Sequence, residues 1–310
     1  MAVKIEEREF APFGKCLSLS NSCAELLVSL DFGPRILSYR LLDGENVLGP
    51  DIEGKLVTED PSLEEYYGEG TVWRNRGGHR LWVSPEAMPQ TYYPDNDPVA
   101  YEQTEQGVIF TPPAQRKNNW QYAVTVSMAE DSSQVSVTQR VINLGETRKA
   151  GVWSISVMDK GGFEVIPQPD RPTGLLENRV FAVWPYSDMA DPRVCWGTNY
   201  ITLKQDPSAS GPFKIGVNNE HGWAAYFNKG CCFVKRFTHQ MGAEYPDGGM
   251  SFETYTCPDF IEIESLSPYY TLKTGEWMEH TEHWELKKAG SCDPRDQKAV
   301  AELVKETGLV

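Results

Sequence analysis

Residues 258–286 read PDFIEIESLSPYYTLKTGEWMEHTEHWEL, and this stretch decides the fold class. Two isoleucines alternate with Glu262 and Glu264, which is the period of two that separates the faces of a β-strand. A Pro-containing break follows, and then a second run with apolar residues at every other position. The stretch therefore predicts a strand at 260–265, a turn, and a final strand at 277–286.

The same alternation recurs along the whole chain, whereas the helical period is rare, so the chain is predicted to be all-β. Residues 45–115 and 159–200 are rich in Gly, Pro, Asn and Asp and are interpreted as long loops with short strands. The sequence shows no internal repeat and no linker that would divide it, so residues 1–310 are expected to form one domain. Further strands are predicted at 24–30, 35–42, 122–128, 135–141, 152–158, 213–217, 223–228, 232–237 and 251–256.

One helix is predicted, at the C-terminus. Asp293 is expected to cap it and Pro294 to occupy its first position. Gly308 is expected to end it. Its apolar stripe, which should pack on the outside of a sheet, is Ala299, Val300, Leu303 and Val304.

Composition excludes several classes of function. The 310 residues include 44 acidic and 29 basic side chains, so the formal charge is −15 and binding to nucleic acid or to an anionic membrane surface is disfavoured. No apolar run is long enough for a membrane span or a signal peptide, which predicts a cytoplasmic protein. The seven cysteines contain no CxxC pair, so neither a disulfide framework nor a zinc site is expected. No cofactor or metal is predicted.

Glu262 and Glu264 share one strand face and are candidate acid–base groups, because burial against aromatic rings raises a carboxyl pKa towards neutrality. A solvated strand face is the alternative interpretation. The chain also contains 9 Trp and 14 Tyr, residues that either bind sugars or fill a large β core.

Three segments resemble the aldose 1-epimerase (galactose mutarotase) superfamily. The first is the glutamate strand followed by the sequence Leu-Lys-Thr-Gly-Glu at 272–276; the others are AELLVSLDFGPRILSYRLLDGENVLG at 24–49 and GGHRLWVSPE at 77–86. The resemblance implies an antiparallel β-supersandwich with a sugar groove on a concave sheet. It also implies that Glu264 is the general base that accepts the proton of the anomeric hydroxyl.

The histidine that serves as the acid in that superfamily has no counterpart here. The matching segment of this chain reads VINLGETRKAGVWSISV at 141–157, and it has Trp153 and two serines where the histidine is expected. His79 in the Gly-Gly segment is the leading replacement, because histidine titrates near neutral pH. A histidine packed in a loop is the alternative.

Arg74, Arg76 and Arg80 lie within seven residues and are candidates for binding an anionic sugar. Salt bridges to the many carboxylates are the alternative. Lys235 is a second candidate anion ligand, with a solvated strand lysine as the alternative. Trp82 or Trp153 is expected to stack on the apolar face of the sugar.

The predicted function is an epimerase or mutarotase acting at the anomeric carbon of an aldose or acidic sugar, with a small carbohydrate as its partner. A binding protein that has lost catalysis is one alternative. A lyase or isomerase of uronates is another. The sequence does not predict the oligomeric state.

Overall fold

The computed structural model describes residues 2–310 and is built almost entirely of β-strands. The three helices are α1 (Pro61–Tyr67), α2 (Pro246–Gly249) and α3 (Gln297–Glu306). In chain order the strands are β1 (Lys4–Glu9), β2 (Lys15–Ser20), β3 (Ala24–Ser29), β4 (Ile36–Leu41), β5 (Val57–Thr58), β6 (Trp73–Arg74), β7 (His79–Ser84), β8 (Ala100–Thr104), β9 (Gly107–Thr111), β10 (Trp120–Met128), β11 (Val135–Asn143), β12 (Arg148–Met158), β13 (Phe163–Pro167), β14 (Phe181–Val183), β15 (Val194–Trp196), β16 (Tyr200–Lys204), β17 (Phe213–Val217), β18 (Trp223–Asn228), β19 (Cys231–Arg236), β20 (Phe252–Thr256), β21 (Ile261–Leu266), β22 (Tyr270–Leu272) and β23 (Trp277–Lys288).

Two large antiparallel sheets contain nearly all of these strands. Sheet I has the order β1-β2-β3-β4-β7-β12-β21-β20-β17-β14, and β22 also pairs with β12. Sheet II has the order β15-β16-β13-β18-β19-β23-β11-β10-β9-β8. The pair β5-β6 stands apart from both sheets. The all-β class predicted from the alternation and the antiparallel pairing implied by the resemblance are therefore confirmed.

The sheets pack face to face around an apolar core. Ile261 and Ile263 of sheet I lie in one buried cluster with Val137, Phe233 and Trp284 of sheet II. Burying such side chains contributes about 1.5–3 kcal/mol each. We call the face of sheet I that meets sheet II its inner face. The opposite face, which carries Glu262 and Glu264, is its outer face.

Helix α3 covers the outer face of sheet II. Val300, Leu303 and Val304 are buried against strand residues of that sheet, which confirms the location of the helix and three of the four residues predicted for its stripe. The fourth, Ala299, is half-buried and lies outside this cluster, and Ala301 packs against it instead. The start of the helix is corrected: Asp296, not Asp293, caps it by accepting from the backbone N–H groups of residues 298 and 299. Gly308 follows the helix with a φ of 64°, the left-handed geometry in which glycine ends helices.

The two segments interpreted as loops hold more regular structure than predicted. Residues 45–115 contain α1, which begins at Pro61 after an Asp60 cap, and the edge hairpin β8-β9. Residues 159–200 contain β13, which is central in sheet II and buried on both faces. No helix in residues 2–310 combines the length and apolar character that crossing a bilayer requires.

Candidate functional site

A groove lies on the outer face of sheet I, where β7, β12, β21, β20 and β17 run side by side. It consists of two adjoining recesses of about 240 and 350 Å³ that share Glu86, Tyr92 and Trp153. Aromatic rings from the strands and from the loops above them form most of its walls. The rings are Trp73, Trp82, Tyr92, Trp153, Trp184, Tyr186, Tyr255 and Phe260.

Glu264 lies beneath the floor of this groove. Strand pairing places it opposite Ile155 on β12 and opposite Glu253 on β20, so all three residues share the outer face. Its Oε2 accepts hydrogen bonds from Trp153 Nε1 at 2.7 Å and from Lys214 Nζ at 3.0 Å. Its Oε1 is buried without a hydrogen-bond partner. Glu264 is fully buried and does not itself line the groove, whereas Trp153 and Lys214 do.

Lys214 joins two carboxyl groups. Its Nζ lies 3.0 Å from Glu264 Oε2 and 2.8 Å from Glu253 Oε2. Burial alone would lower the pKa of Lys214, but the two glutamates outweigh burial and raise it. Burial raises the pKa of Glu253 well above its ordinary value and also raises that of Glu264, although Lys214 opposes both shifts. Lys214 is therefore an ammonium ion at neutral pH.

Arg80 and Glu262 form a second ion pair at the groove, with 2.9 Å between Nη1 and Oε1. The guanidinium carbon of Arg80 lies 4.3 Å from the ring centre of Trp82 and 5.4 Å from that of Trp73. Such stacking on an aromatic face stabilises the cation by about 0.5–2 kcal/mol. The predicted Arg80 does line the groove, but a carboxylate already neutralises it.

Trp82 and Trp153 stand side by side across the β7-β12 pairing, and both line the groove. Their ring centres are 5.4 Å apart at an interplanar angle of 67°, an edge-to-face contact that fixes both rings. Their role as a stacking platform for a sugar stays a prediction.

His79 does not reach the groove, so its predicted role as the acid is corrected. It neighbours Arg80 on β7 and therefore points to the inner face, where it is 2% exposed. Its ring nitrogens lie 2.9 Å from Ser156 Oγ and 2.7 Å from Gln139 Nε2. Burial lowers the pKa of His79 to about 3, so the ring is neutral at pH 7 and lacks the imidazolium proton that a general acid would donate.

Lys235 is also corrected, because it lies between the sheets and cannot meet a ligand in the groove. Its Nζ lies 2.8 Å from Glu282 Oε1 and donates to the backbone oxygen of Ile263 at 2.8 Å. Burial lowers the pKa of Lys235. We call the group of His79, Gln139, Glu164, Lys235, His280 and Glu282 the inner cluster.

Arg74 and Arg76 do not join Arg80. Gly77 and Gly78 both have a φ of 67°, and a Cβ on Gly77 would lie 1.9 Å from the backbone oxygen of Gly49. The chain turns at this point, so Arg74 is exposed on β6 and Arg76 lies with its guanidinium carbon 4.0 Å from the Phe32 ring centre. The three arginines therefore form no common positive patch, and the support they gave to an anionic substrate is lost.

The alternation predicted that Glu262 and Glu264 share a face, but Lys214 and Glu253 were missed as site residues. Both lie on strands that were predicted, and their partners are 50 and 11 residues away in sequence, respectively. Only the strand order brings them together. Among residues 2–310, no group of three or more His, Cys, Asp or Glu side chains is placed to hold a metal ion.

No protein-family model and no curated protein matches this sequence. Solved structures, in contrast, share its fold. A candidate mutarotase from Salmonella typhimurium is 10% identical with a TM-score of 0.57, over 92% of this chain and 94% of that one. A galactose mutarotase related enzyme from Lactobacillus acidophilus is 10% identical with a TM-score of 0.51, over 88% of this chain and 97% of that one.

A TPR-domain containing protein from Parabacteroides distasonis is 13% identical with a TM-score of 0.59, and the match covers 91% of this chain but 48% of that one. At sequence identities this low, the structural matches establish a similarity of fold alone. The resemblance seen in the three sequence segments is therefore confirmed at that level: the chain has the galactose mutarotase-like β-sandwich fold.

Proposed function

We propose that the groove binds a small carbohydrate and that the protein is an aldose 1-epimerase-like isomerase with Glu264 as the general base. The observation that carries the proposal is the position of Glu264, a buried carboxyl with one unpartnered oxygen beneath an aromatic groove. Rings such as Trp82 and Trp153 bury the apolar face of a sugar, and the polar groups between them orient its hydroxyls.

In this mechanism Glu264 accepts the proton of the anomeric hydroxyl as the bond from the anomeric carbon to the ring oxygen breaks. A positioned base of this kind contributes about 10²- to 10⁴-fold. Trp153 and Lys214 hold its Oε2, which leaves Oε1 for the substrate.

Lys214 takes the place of the missing histidine as the electrophile. An ammonium group has three N–H donors: one donates to Glu264 Oε2, and a second is within ion-pair distance of Glu253 Oε2, which lies 2.8 Å from Nζ. The third can donate to the ring oxygen, where negative charge develops as the ring opens. The raised pKa of Lys214 suits it to stabilise that charge as a hydrogen-bond donor and not to lose its proton.

A sugar-binding protein without catalysis is the second candidate, and the burial of Glu264 favours it. The residue is 0% exposed, so the side chains that cover it must shift before a hydroxyl can reach Oε1. A uronate lyase is not proposed, because Arg80, the arginine of the predicted trio that reaches the groove, is already paired with Glu262.

The test is the rate of anomeric exchange, measured by NMR for a panel of aldoses. We expect the wild-type protein to accelerate exchange and Glu264→Gln to lower that acceleration at least 100-fold, because the amide cannot accept the proton. Glu105→Gln is the matched control, since Glu105 is exposed in the β8-β9 turn of sheet II. Sugar-induced shifts of the tryptophan N–H signals without accelerated exchange would favour the second candidate.

A further inference from the structure

The larger of the two recesses carries three carboxyl groups. Eight residues line it: Pro85, Glu86, Met88, Tyr92, Trp153, Trp184, Asp247 and Glu253. None of these eight, all within residues 2–310, has a cationic side chain. Lys214 contacts Glu253 from outside this lining, and its ammonium group is already held by Glu253 and Glu264. The carboxyl groups of the recess are therefore not balanced by a cationic side chain among the eight lining residues.

Glu253 provides an independent sign that a ligand donor belongs here. It is 1% exposed and lines the recess, yet its Oε1 has no hydrogen-bond partner. A buried carboxyl oxygen without a donor destabilises the folded state unless a ligand supplies the donor. Burial raises the pKa of Glu253, and the neighbouring Glu264 and Asp247 raise it further, which is the electrostatic state that a bound cation would relieve.

The aromatic walls suit the same kind of ligand. Lys214 Nζ already lies 4.5 Å from the ring centre of Trp153 and 4.6 Å from that of Trp184, so both rings have their faces turned towards a cation. Electron-rich ring faces combined with carboxylates are a common way to bind organic ammonium groups.

We propose that the ligand of this groove is an amino sugar, whose protonated amine is bound by Glu86, Asp247 and Glu253. The inference rests on the proposed function for the presence of a sugar and adds its chemical class. Glu253 and Glu264 contact the same ammonium group of Lys214. The amine is therefore close to the anomeric centre, which points to a 2-amino-2-deoxy sugar.

The preference for a cation is the opposite of the anionic substrate that the arginine trio suggested. A uronate or phosphosugar entering this recess would meet three carboxyl groups and no free cation among the lining residues in the described part of the chain. Like charges at this range are repulsive, so an acidic sugar is excluded by electrostatics and not by size.

The experiment compares glucosamine, glucose, N-acetylglucosamine and glucuronate by isothermal titration calorimetry at pH 6.5 in 50 mM salt. We expect glucosamine to bind at least 10-fold more tightly than glucose and N-acetylglucosamine, which lack the charge, and glucuronate to bind most weakly. Raising the salt to 0.5 M should shrink the advantage of glucosamine at least threefold, because exposed charges are then screened.

The double variant Glu86→Gln, Asp247→Asn removes two carboxylates that lie at exposed positions of the rim and keeps the shape of the recess. We expect it to reduce the advantage of glucosamine over glucose to threefold or less. Glu105→Gln, a single neutralisation far from the groove, should leave the advantage intact.

The two proposals fail in different ways. Equal binding of glucosamine and glucose, or an advantage that survives in the double variant, overturns the amino-sugar inference even if anomeric exchange is accelerated. A glucosamine preference that is lost in the double variant supports the inference even if no sugar shows accelerated exchange.

Discussion

The two faces of sheet I both bury charged side chains, but they bury them differently. Against the inner face, Lys235 and Glu282 of sheet II are both fully enclosed, with 2.8 Å between Nζ and Oε1. On the outer face, Lys214 joins Glu264 and Glu253 directly beside a groove. Buried charge alone therefore does not mark a functional site. A site also needs an opening and polar atoms that are left for a ligand.

Within the inner cluster, Glu164 is expected to give the largest effect in a comparison between enclosed charges and charges beside the groove. Its carboxyl is fully buried without a hydrogen-bond partner, and burial raises its pKa to about 8. A carboxyl whose pKa is raised on folding stabilises the folded state below its unfolded pKa, and this stability is lost as the pH rises through the folded pKa.

We expect Glu164→Gln to be nearly neutral at pH 5. At pH 9 it should raise the free energy of unfolding relative to wild type by as much as about 5 kcal/mol, at about 1.4 kcal/mol per unit of pKa shift. Urea denaturation at the two pH values measures the difference. An equal increase in the free energy of unfolding at pH 5 and at pH 9 would mean that Glu164 is not a buried neutral acid.

The two lysines allow a direct comparison between the faces. Lys235→Met leaves the Glu282 carboxylate enclosed without its partner, so we expect a loss of about 3–5 kcal/mol in the free energy of unfolding. Lys214→Met leaves carboxyl groups that already have raised pKa values beside a groove, where water can solvate them.

A loss of about 2 kcal/mol is therefore expected for Lys214→Met. Denaturant unfolding of the two variants at pH 7 measures both losses. Equal losses of unfolding free energy in the two variants would show that the carboxyl groups beside the groove are no better solvated than Glu282 between the sheets.

Much of the fold could be predicted because the alternation of apolar and polar residues depends only on positions close together in the sequence. The strands predicted at 213–217 and 223–228 have the observed bounds, and the strands predicted at 122–128 and 135–141 are both present and pair with each other. The same rule places His79 and Arg80 on opposite faces, as observed. The Gly77-Gly78 turn ends before β7 begins, so it separates Arg74 and Arg76 from this alternation.

The candidate site was harder to predict because it depends on strand order. Lys214 reaches Glu264 because β20 lies between β17 and β21 in sheet I, and no local pattern records that order. The pairing of Arg80 with Glu262 spans 182 residues. The clustering of arginines in the sequence therefore did not predict the charge of the groove.

The central claim is that the outer face of sheet I, and not its inner face, acts on a sugar. It is tested most directly by NMR measurement of anomeric exchange with two variants, Glu264→Gln and His79→Gln, each shown by circular dichroism to be folded. We predict that Glu264→Gln loses the acceleration and that His79→Gln retains it within about threefold, because His79 is neutral and closed off from the groove. Loss of exchange in His79→Gln with retention in Glu264→Gln would contradict the account.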